Sequence, residues 1–307
     1  MLLPAPSSAQ AGLTPVGTPA SVFVKRGRVG GPYATAMSRR DATTEPDVAQ
    51  HDTERTFDRL VDEGRQRLGR SWSGVISTGL LGGLDVGVGV LALLLVEHAT
   101  ESKVLGGLAF SIGFIALTLA RSELFTEDFL VPVAAVVAKA STLLSLLRLW
   151  GVTIVTNLAG GWLITGIIIV GFPSLRSTAV DSAAFYIDLG ITWRAFALAL
   201  TGGFLITLMT HMQHSTDSDG VRLVPAIVMG FLLGAGQVNH AIVASLLCFA
   251  GLHAGGPFGY ADWLGLFAFA ALGNMIGGLG LVTVLRLLQV PHKIAAERRD
   301  NPAQEAT

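Results

Sequence analysis

The stretch of residues 121–128 interrupts an apolar region with the charged and polar sequence Arg-Ser-Glu-Leu-Phe-Thr-Glu-Asp. Residues 104–120 before it and residues 129–138 after it are nearly all apolar. Neither stretch alone comfortably reaches the roughly 20 residues that a helix needs to cross a bilayer, but together they do. This pattern predicts one broken membrane-spanning segment. Irregular backbone at membrane depth must be buried in protein or line a wet cavity, and ionisable groups there indicate a functional site.

The composition also indicates a membrane protein. Of 307 residues, 51% are hydrophobic, only 14% are charged and 37 are glycines, and the mean hydropathy is +0.58. This predicts an all-α polytopic membrane protein whose helices pack through small residues. Nucleotide-binding loops, nucleophile triads and nucleic-acid patches are not found. We therefore predict no enzyme activity, no cofactor, no metal and no nucleic-acid partner.

The chain divides into four predicted regions. Residues 1–50 are rich in Pro, Ala, Ser, Thr and Gly and are expected to be a disordered tail. Residues 51–70 form an amphipathic helix, which either packs on the protein core or lies on the cytoplasmic membrane surface. Residues 71–290 form a six-helix transmembrane channel domain, and residues 291–307 a charged cytoplasmic tail.

Six crossings are predicted, and the fifth is broken like the second. Its interruption is the polar, glycine-containing stretch 234–240. A longer loop is expected at 171–193, and a basic connector at 139–148. The predicted spans are 72–96, 104–138, 149–170, 194–212, 223–252 and 263–290.

Lysine and arginine are unevenly distributed between the two sides. With six crossings, both termini share one side, and that side holds 17 of the 21 lysine and arginine residues. The opposite side holds three, and Arg121 lies in the break. The positive-inside rule then predicts that both termini are cytoplasmic.

Three pairs of sequence markers recur at nearly one offset. Asn157-Leu-Ala-Gly-Gly161 and Asn274-Met-Ile-Gly-Gly278 differ by 274 − 157 = 117. The breaks at Thr126 and His240 differ by 240 − 126 = 114, and the glycine pairs at 82–83 and 202–203 by 202 − 82 = 120. Each half contains three crossings, so the two halves must have opposite orientations. Inverted three-helix repeats with broken helices are typical of transporters.

Six motifs follow one another along the chain: Phe110-Ser-Ile-Gly-Phe114, Glu123-Leu-Phe-Thr126, Val137-Ala-Lys-Ala-Ser141, the Asn157 stretch, Asn239-His240-Ala-Ile-Val-Ala and Gly273-Asn-Met-Ile-Gly-Gly278. In this order, over residues 70–290, they resemble the motifs of the formate/nitrite transporter family, and within it those of the divergent YfdC-like branch most.

The resemblance implies an aquaporin-like protomer with its own pore, a homopentamer, and an inner-membrane location in a bacterium. It implies passage of small monovalent anions or weak acids, such as formate or nitrite, alone or with a proton. His240 would face the pore centre and approach Thr126. Apolar constrictions would lie on either side, formed by Phe110, Phe114, Leu124 and either Phe231 or Leu233.

Several positions depart from the family pattern. Asn239 stands where the family usually has Glu, and Arg121 where it usually has a small residue. Arg121 either pairs with Glu123, Glu127 or Asp128, or places a permanent positive charge beside the pore that selects or blocks substrates.

The roles of the central residues stay open at the level of the sequence. His240 could simply be hydrogen-bonded within the bundle, and Thr126 could serve as a helix cap. Two functions compete with an anion channel: a pore for small neutral solutes, and a non-conducting membrane scaffold with the same fold.

Overall fold

The computed structural model describes residues 45–301, and these form helices joined by short connections. Their bounds are α1 Glu45–Leu68, α2 Trp72–Thr100, α3 Lys103–Ala120, α4 Val131–Val137, α5 Leu143–Gly171, α6 Arg176–Leu189, α7 Trp193–His214, α8 Asp219–Ala235, α9 Ala241–His253, α10 Tyr260–Met275 and α11 Pro291–Asp300. The last crossing continues from α10 through a π-helical stretch, Ile276–Val284, to Leu287.

The six predicted crossings are confirmed. Five helical segments of the described chain are long and apolar enough to span a membrane alone: α2, α3, α5, α7 and the α10 crossing. The pair α8–α9 supplies the broken fifth crossing, and α3 with α4 the broken second. In the first half α2 packs against α3 and α5, and in the second half α7 packs against α8 and the last crossing. The all-α, inverted-repeat architecture predicted from the sequence is therefore correct.

The region 171–193 differs from the predicted loop, because it contains helix α6. This helix packs against α9 and buries Ala179, Ala183 and Tyr186. The basic connector is also shorter than predicted: Thr142 caps α5 by accepting a hydrogen bond from the Ser145 N–H, so the helix begins at Leu143. Short polar segments near membrane ends do not reveal by composition alone that they are helical.

Helix α1 packs on the protein core. Four apolar side chains on one face are 2–3% exposed and lie in a cluster with residues of α4: Phe57, Leu60, Val61 and Leu68. Gly64 allows close approach, because a side chain there would meet the Val131 carbonyl. Of the two positions considered for the amphipathic helix, the structure shows the one in which it packs on the core. The predicted disordered tail lies outside the described residues, except for residues 45–50, which belong to α1.

The two ends of the described chain lie on the same side of the bundle. Lys293 of α11 bonds Asp58 of α1 at 2.9 Å, and His292 lies 2.8 Å from Glu54. The predicted C-terminal tail thus includes helix α11, while residues 302–307 lie outside the described chain. We call this side of the molecule the α1 side.

Paired glycines bring helices together at the same place in each half. Gly83 of α2 lies against the backbone of Asn157, and Gly203 of α7 lies against the backbone of Asn274. A side chain at either glycine would collide with a carbonyl oxygen of the facing helix. The glycine markers of the sequence repeat are therefore helix-contact points.

Replacing Gly203 with alanine is expected to destabilise the protein by about 1–3 kcal/mol, the usual cost of overpacking a tight contact. The obstacle is backbone, which cannot rotate away as a side chain can. Denaturant unfolding of detergent-solubilised protein measures the change. Gly151→Ala is the matched control, because nothing lies within 4 Å of a side chain there. Equal stability of the two variants would contradict the prediction.

Candidate pore centre

The two breaks meet through their side chains. The Thr126 hydroxyl oxygen lies 2.6 Å from His240 Nε2, although the residues are 114 positions apart. Both side chains are fully buried. The contact that the resemblance implies for these two residues is therefore present in the fold.

His240 also begins helix α9. It is the N-cap residue, and its Nδ1 accepts a hydrogen bond from the Val243 N–H at 3.2 Å. With the Nδ1 lone pair engaged, a neutral imidazole carries its proton on Nε2 and donates it to Thr126. The Thr126 hydroxyl hydrogen is then available to another acceptor. Thr126 itself forms no side-chain cap on the following 3₁₀ turn, Glu127–Phe129.

An asparagine holds the first break in place. The Asn157 amide Nδ2 donates to the carbonyls of Gly79 at 2.7 Å and Glu123 at 2.9 Å. Its Oδ1 accepts from the Phe125 N–H at 2.9 Å. One buried side chain thus satisfies two backbone groups that the break leaves free, Glu123 O and Phe125 N–H, and ties the break to the Gly79 carbonyl of α2.

A second asparagine repeats this arrangement at the other break. Asn274 Nδ2 donates to Ala199 O at 2.7 Å and Asn239 O at 3.0 Å, and its Oδ1 accepts from Ala241 N–H at 2.8 Å. In the first turn of α9, the N–H groups of 241 and 243 are thus engaged. No described residue accepts a hydrogen bond from the N–H of Ile242, which lies in the same turn.

Four of the apolar side chains predicted to form constrictions are fully buried. Phe110 and Phe114 of α3 stack edge to face with ring centroids 5.7 Å apart. Together with Leu124 and Leu233 they belong to one core cluster. Phe231 is half-buried and outside that cluster, so Leu233 and not Phe231 packs in the same cluster as the other three. Their role as constrictions stays a prediction, and His240 itself has no exposed surface in this structure.

Asn239 is buried next to His240 but is poorly satisfied. Its backbone carbonyl is held by Asn274. Its amide Nδ2 lies 3.5 Å from the Ala195 carbonyl, and its Oδ1 has no hydrogen-bond partner in the described chain. A glutamate here, as is usual in the family, would bring a carboxyl to this position; Asn brings a neutral amide with an unused acceptor.

Glu123 of the first break is paired with two arginines, one in the last turn of α1 and one just after that helix. Glu123, 1% exposed, accepts hydrogen bonds from Arg67 at 3.0 Å and from Arg70. Arg67 also bonds Glu63 at 2.7 Å and lies 3.6 Å from Asp128. Sequence reasoning missed these arginines. Their signal was the basic end of an amphipathic helix directly before the first crossing, with Arg67 in its last turn and Arg70 two residues beyond it.

The surroundings of Glu63 extend this network to the end of α7. His214 Nε2 lies 3.5 Å from a Glu63 carboxylate oxygen. The hydrogen bond from His214 and the charge of Arg67 hold the pKa of the Glu63 carboxyl well below its usual range. Glu63 is therefore ionised at neutral pH and orients Arg67 towards the break.

Arg121 does not pair with the carboxyl groups of its own loop. It ends α3 in a left-handed conformation with φ of 54°, and its side chain is exposed. Within residues 45–301 its guanidinium has neither a hydrogen-bond nor an ion-pair partner. Instead it lines a cavity of about 180 Å³ on the α1 side, together with Arg67, Arg70, Glu127 and His214. The expected pairing of Arg121 is thus not found, and the charge remains free beside the broken crossing.

Two inverted three-helix halves whose broken crossings meet at a buried histidine define a membrane transport protein. Residues 54–288 match the formate/nitrite transporter family. The chain belongs to this family, as the sequence motifs predict, and it is an integral membrane protein.

Curated relatives and solved structures agree with this assignment. The inner membrane protein YfdC of Escherichia coli strain K12 is 26% identical over 260 residues, which cover 80% of this chain and 82% of the relative. The formate channel BtFdhC of Bacillus thuringiensis is 25% identical over 255 residues, covering 76% and 94%. A pentameric formate channel solved with formate bound has a TM-score of 0.60 at 23% identity, covering 70% of this chain and 96% of that one. A further solved structure, an FNT family ion channel, has a TM-score of 0.66 at 14% identity, covering 77% and 99%.

Proposed function

We propose that each protomer conducts small monovalent anions or weak acids of the formate/nitrite type through its own pore. The observation that carries the proposal is the buried contact between His240 and Thr126 at the junction of the two breaks. The relative from Bacillus thuringiensis is named as a formate channel, and a solved neighbour as a pentameric formate channel. We infer a homopentamer and an inner-membrane location by the same likeness.

The orientation belongs to the same proposal. The α1 side carries both described ends and most of the described lysine and arginine residues, which supports a cytoplasmic position for it under the positive-inside rule. Residues 71–290 then form the channel domain, and helices α1 and α11 lie on its cytoplasmic face.

The pore centre offers hydrogen-bond donors but no fixed positive charge. A monovalent anion that reaches it can accept from the Thr126 hydroxyl and the unengaged Ile242 N–H. Such donors offset part of the cost of bringing a charge into the membrane. The apolar constrictions at Phe110, Phe114 and Leu124 favour the neutral acid over the anion. Passage therefore combines capture of the anion with crossing as the protonated acid, and His240 is a group at the pore centre that can exchange a proton with it.

Formate flux into proteoliposomes tests the role of His240. Asparagine can keep the N-cap of α9, because its side chain also accepts from the third N–H, but it does not reach Thr126 as Nε2 does. We expect His240→Asn to fold and to lose at least about tenfold of the flux, since a hydrogen bond to a charged group contributes about 1.5–3 kcal/mol. Thr126→Val, nearly isosteric, should cause a similar loss.

The control for this experiment is Ser245→Ala. Ser245 is also buried in α9, but its hydroxyl donates to the Ala241 carbonyl of its own helix. Its flux should stay within about twofold of the wild type, because this local bond adds little net stability. Wild-type flux and an unchanged pH profile in His240→Asn would remove the imidazole from the mechanism.

A non-conducting scaffold remains the second candidate, because the centre is fully closed in this structure. A flux panel of formate, acetate, nitrite, hydrosulfide and glycerol separates the possibilities. Glycerol flux without anion flux indicates a pore for neutral solutes. A stable oligomer that conducts none of the five indicates the scaffold.

A further inference from the structure

Two carboxyl groups of the first break have no role in the pore centre described above. Glu127 is 5% exposed and Asp128 is fully buried. Glu127 Oε1 and both carboxyl oxygens of Asp128 have no hydrogen-bond partner in the described chain. The nearest cation to Asp128 is Arg67 at 3.6 Å, which is an ion-pair distance without a hydrogen bond. Buried carboxyl oxygens without a hydrogen-bond partner are rare in folded proteins and require an explanation.

The arginines around this carboxyl pair do not hydrogen-bond to it. Arg67 and Arg70 direct their hydrogen bonds to Glu63 and Glu123, and none to the pair. Arg222 pairs with Asp219, and Arg121 has no partner among the described residues. The ionisable groups that surround the pair come from α1 and the residues after it, the break, the end of α7 and the start of α8: Glu63, Arg67, Arg70, Arg121, Glu123, His214 and Arg222. Two adjacent buried carboxylates would thus both lack a hydrogen-bonded cation, and one proton held by the pair removes one of these two buried charges.

One cavity is lined both by Glu127 of the carboxyl pair and by the unpaired guanidinium of Arg121. Glu127 and Arg121 both line this space of about 180 Å³, which opens on the α1 side. Arg121 is exposed there and unpaired among the described residues, while the Glu127 carboxyl is more than nine-tenths buried. A volume of this size accommodates a small carboxylate or oxyanion with a few waters, since a water occupies about 30 Å³ in the liquid.

We propose that this cavity is a loading site, in which a small weak-acid anion contacts Arg121 and takes a proton from the Glu127–Asp128 carboxyl pair. The proposal rests on the proposed transport of weak acids and adds the site where the neutral acid forms. The O–H bond of the carboxylic acid breaks, and an O–H bond forms on the substrate anion. The carboxylate left behind regains a proton from hydronium in the water of the cavity. No electron is transferred, and the reverse step releases the anion.

The proton on the pair can be observed without transport. Infrared difference spectra of the detergent-solubilised full-length protein at neutral pH should contain the C=O stretch of a buried carboxylic acid. Adding formate should reduce this band, as the pair gives up its proton. Both Glu127→Gln and Asp128→Asn should lose the band, because each variant removes one member of the pair that shares the proton. Asp62→Asn, which removes an exposed carboxyl group of α1, should leave it unchanged.

Transport then tests whether the proton is used. In proteoliposomes containing a pH-sensitive dye, Glu127→Gln should reduce formate-coupled proton movement about a hundredfold, the low end of what a positioned acid contributes. Arg121→Gln should instead raise the formate concentration needed for half-maximal rate and leave the infrared band in place. Asp62→Asn again serves as the control.

Three outcomes overturn the proposal. One is a wild-type spectrum without the acid band, and another is a band that Glu127→Gln and Asp128→Asn both retain. The third is a Glu127→Gln variant that moves formate and protons as the wild type does. Absence of formate flux in the wild type, with the band present and sensitive to formate, would instead contradict the proposed channel function and leave the loading site standing.

Discussion

Replacement of Arg67 by methionine is expected to destabilise the folded protein by about 3–5 kcal/mol, the cost of removing one partner of a buried ion pair. Methionine keeps much of the packing volume but leaves Glu123 and Asp128, both almost fully buried, without their common cation. Arg70 still bonds Glu123 but does not reach Asp128 within ion-pair distance. The free energy of unfolding in detergent, measured by denaturant titration, checks the effect.

Two further variants test the cause of this loss. In the double variant Arg67→Met, Asp128→Asn, the carboxylate left without a cation is removed, so stability should recover in part. Arg59→Ala breaks an ion pair on the same helix, but its partner Asp217 has a side chain 72% exposed. That variant should lose under about 1 kcal/mol, as surface pairs do. If Arg59→Ala costs as much as Arg67→Met, α1 is held by general packing rather than by the pairing with the break.

Replacement of Asn157 or Asn274 by leucine is expected to cause the second large loss of stability. We call these two residues the clamp asparagines, because each holds one break in place. Asn157→Leu and Asn274→Leu each leave two buried backbone groups at a break, one carbonyl and one N–H, without their partner. An unsatisfied buried donor or acceptor costs about 1–3 kcal/mol, so each variant should lose about twice that amount and yield little folded protein. Leucine has the branched shape of asparagine and leaves no cavity, so the lost hydrogen bonds dominate the effect.

Folded yield after membrane extraction and thermal unfolding measure these losses. The two variants should be similarly affected, because the two clamps make equivalent bonds in the two halves of the repeat. Asn301→Leu is the control: its amide bonds only Glu297 within α11, outside the membrane. A small loss of stability in one of these two variants and a large loss in the other would show that the two asparagines do not contribute equally to the two halves.

The sequence predicted the features that repeat or that follow from hydropathy. Apolar length identified the crossings, and the shared offset identified two breaks in opposite halves. That offset also paired Asn157 with Asn274, and the structure shows why the two match: each satisfies backbone groups at its own break. The contact between Thr126 and His240 required the resemblance as well, because an offset between repeats does not show which residues touch.

The features that the sequence did not predict depend on contacts between distant residues. Nothing near Glu123 in the chain indicates that Arg67 and Arg70 pair with it, 56 and 53 residues away. For the same reason Arg121 was considered with its neighbours in the loop, although its left-handed backbone turns it towards a cavity. Helix α6 was missed because its burial against α9 is a property of the folded bundle.

The position of α1 in the chain has a consequence for biosynthesis. Arg67 and Arg70 precede the first crossing, so translation makes them before Glu123 and Asp128 emerge. When the second crossing enters the membrane, Arg67 and Arg70 have therefore already been synthesised. They lie on the side of the membrane from which the chain inserts, where they can pair with Glu123 and Asp128. The break can be neutralised as it inserts, before the second half of the repeat exists. A protein that lacks the residues before 71 would lack Arg67 and Arg70. Its defect would arise during membrane insertion rather than in the folded channel.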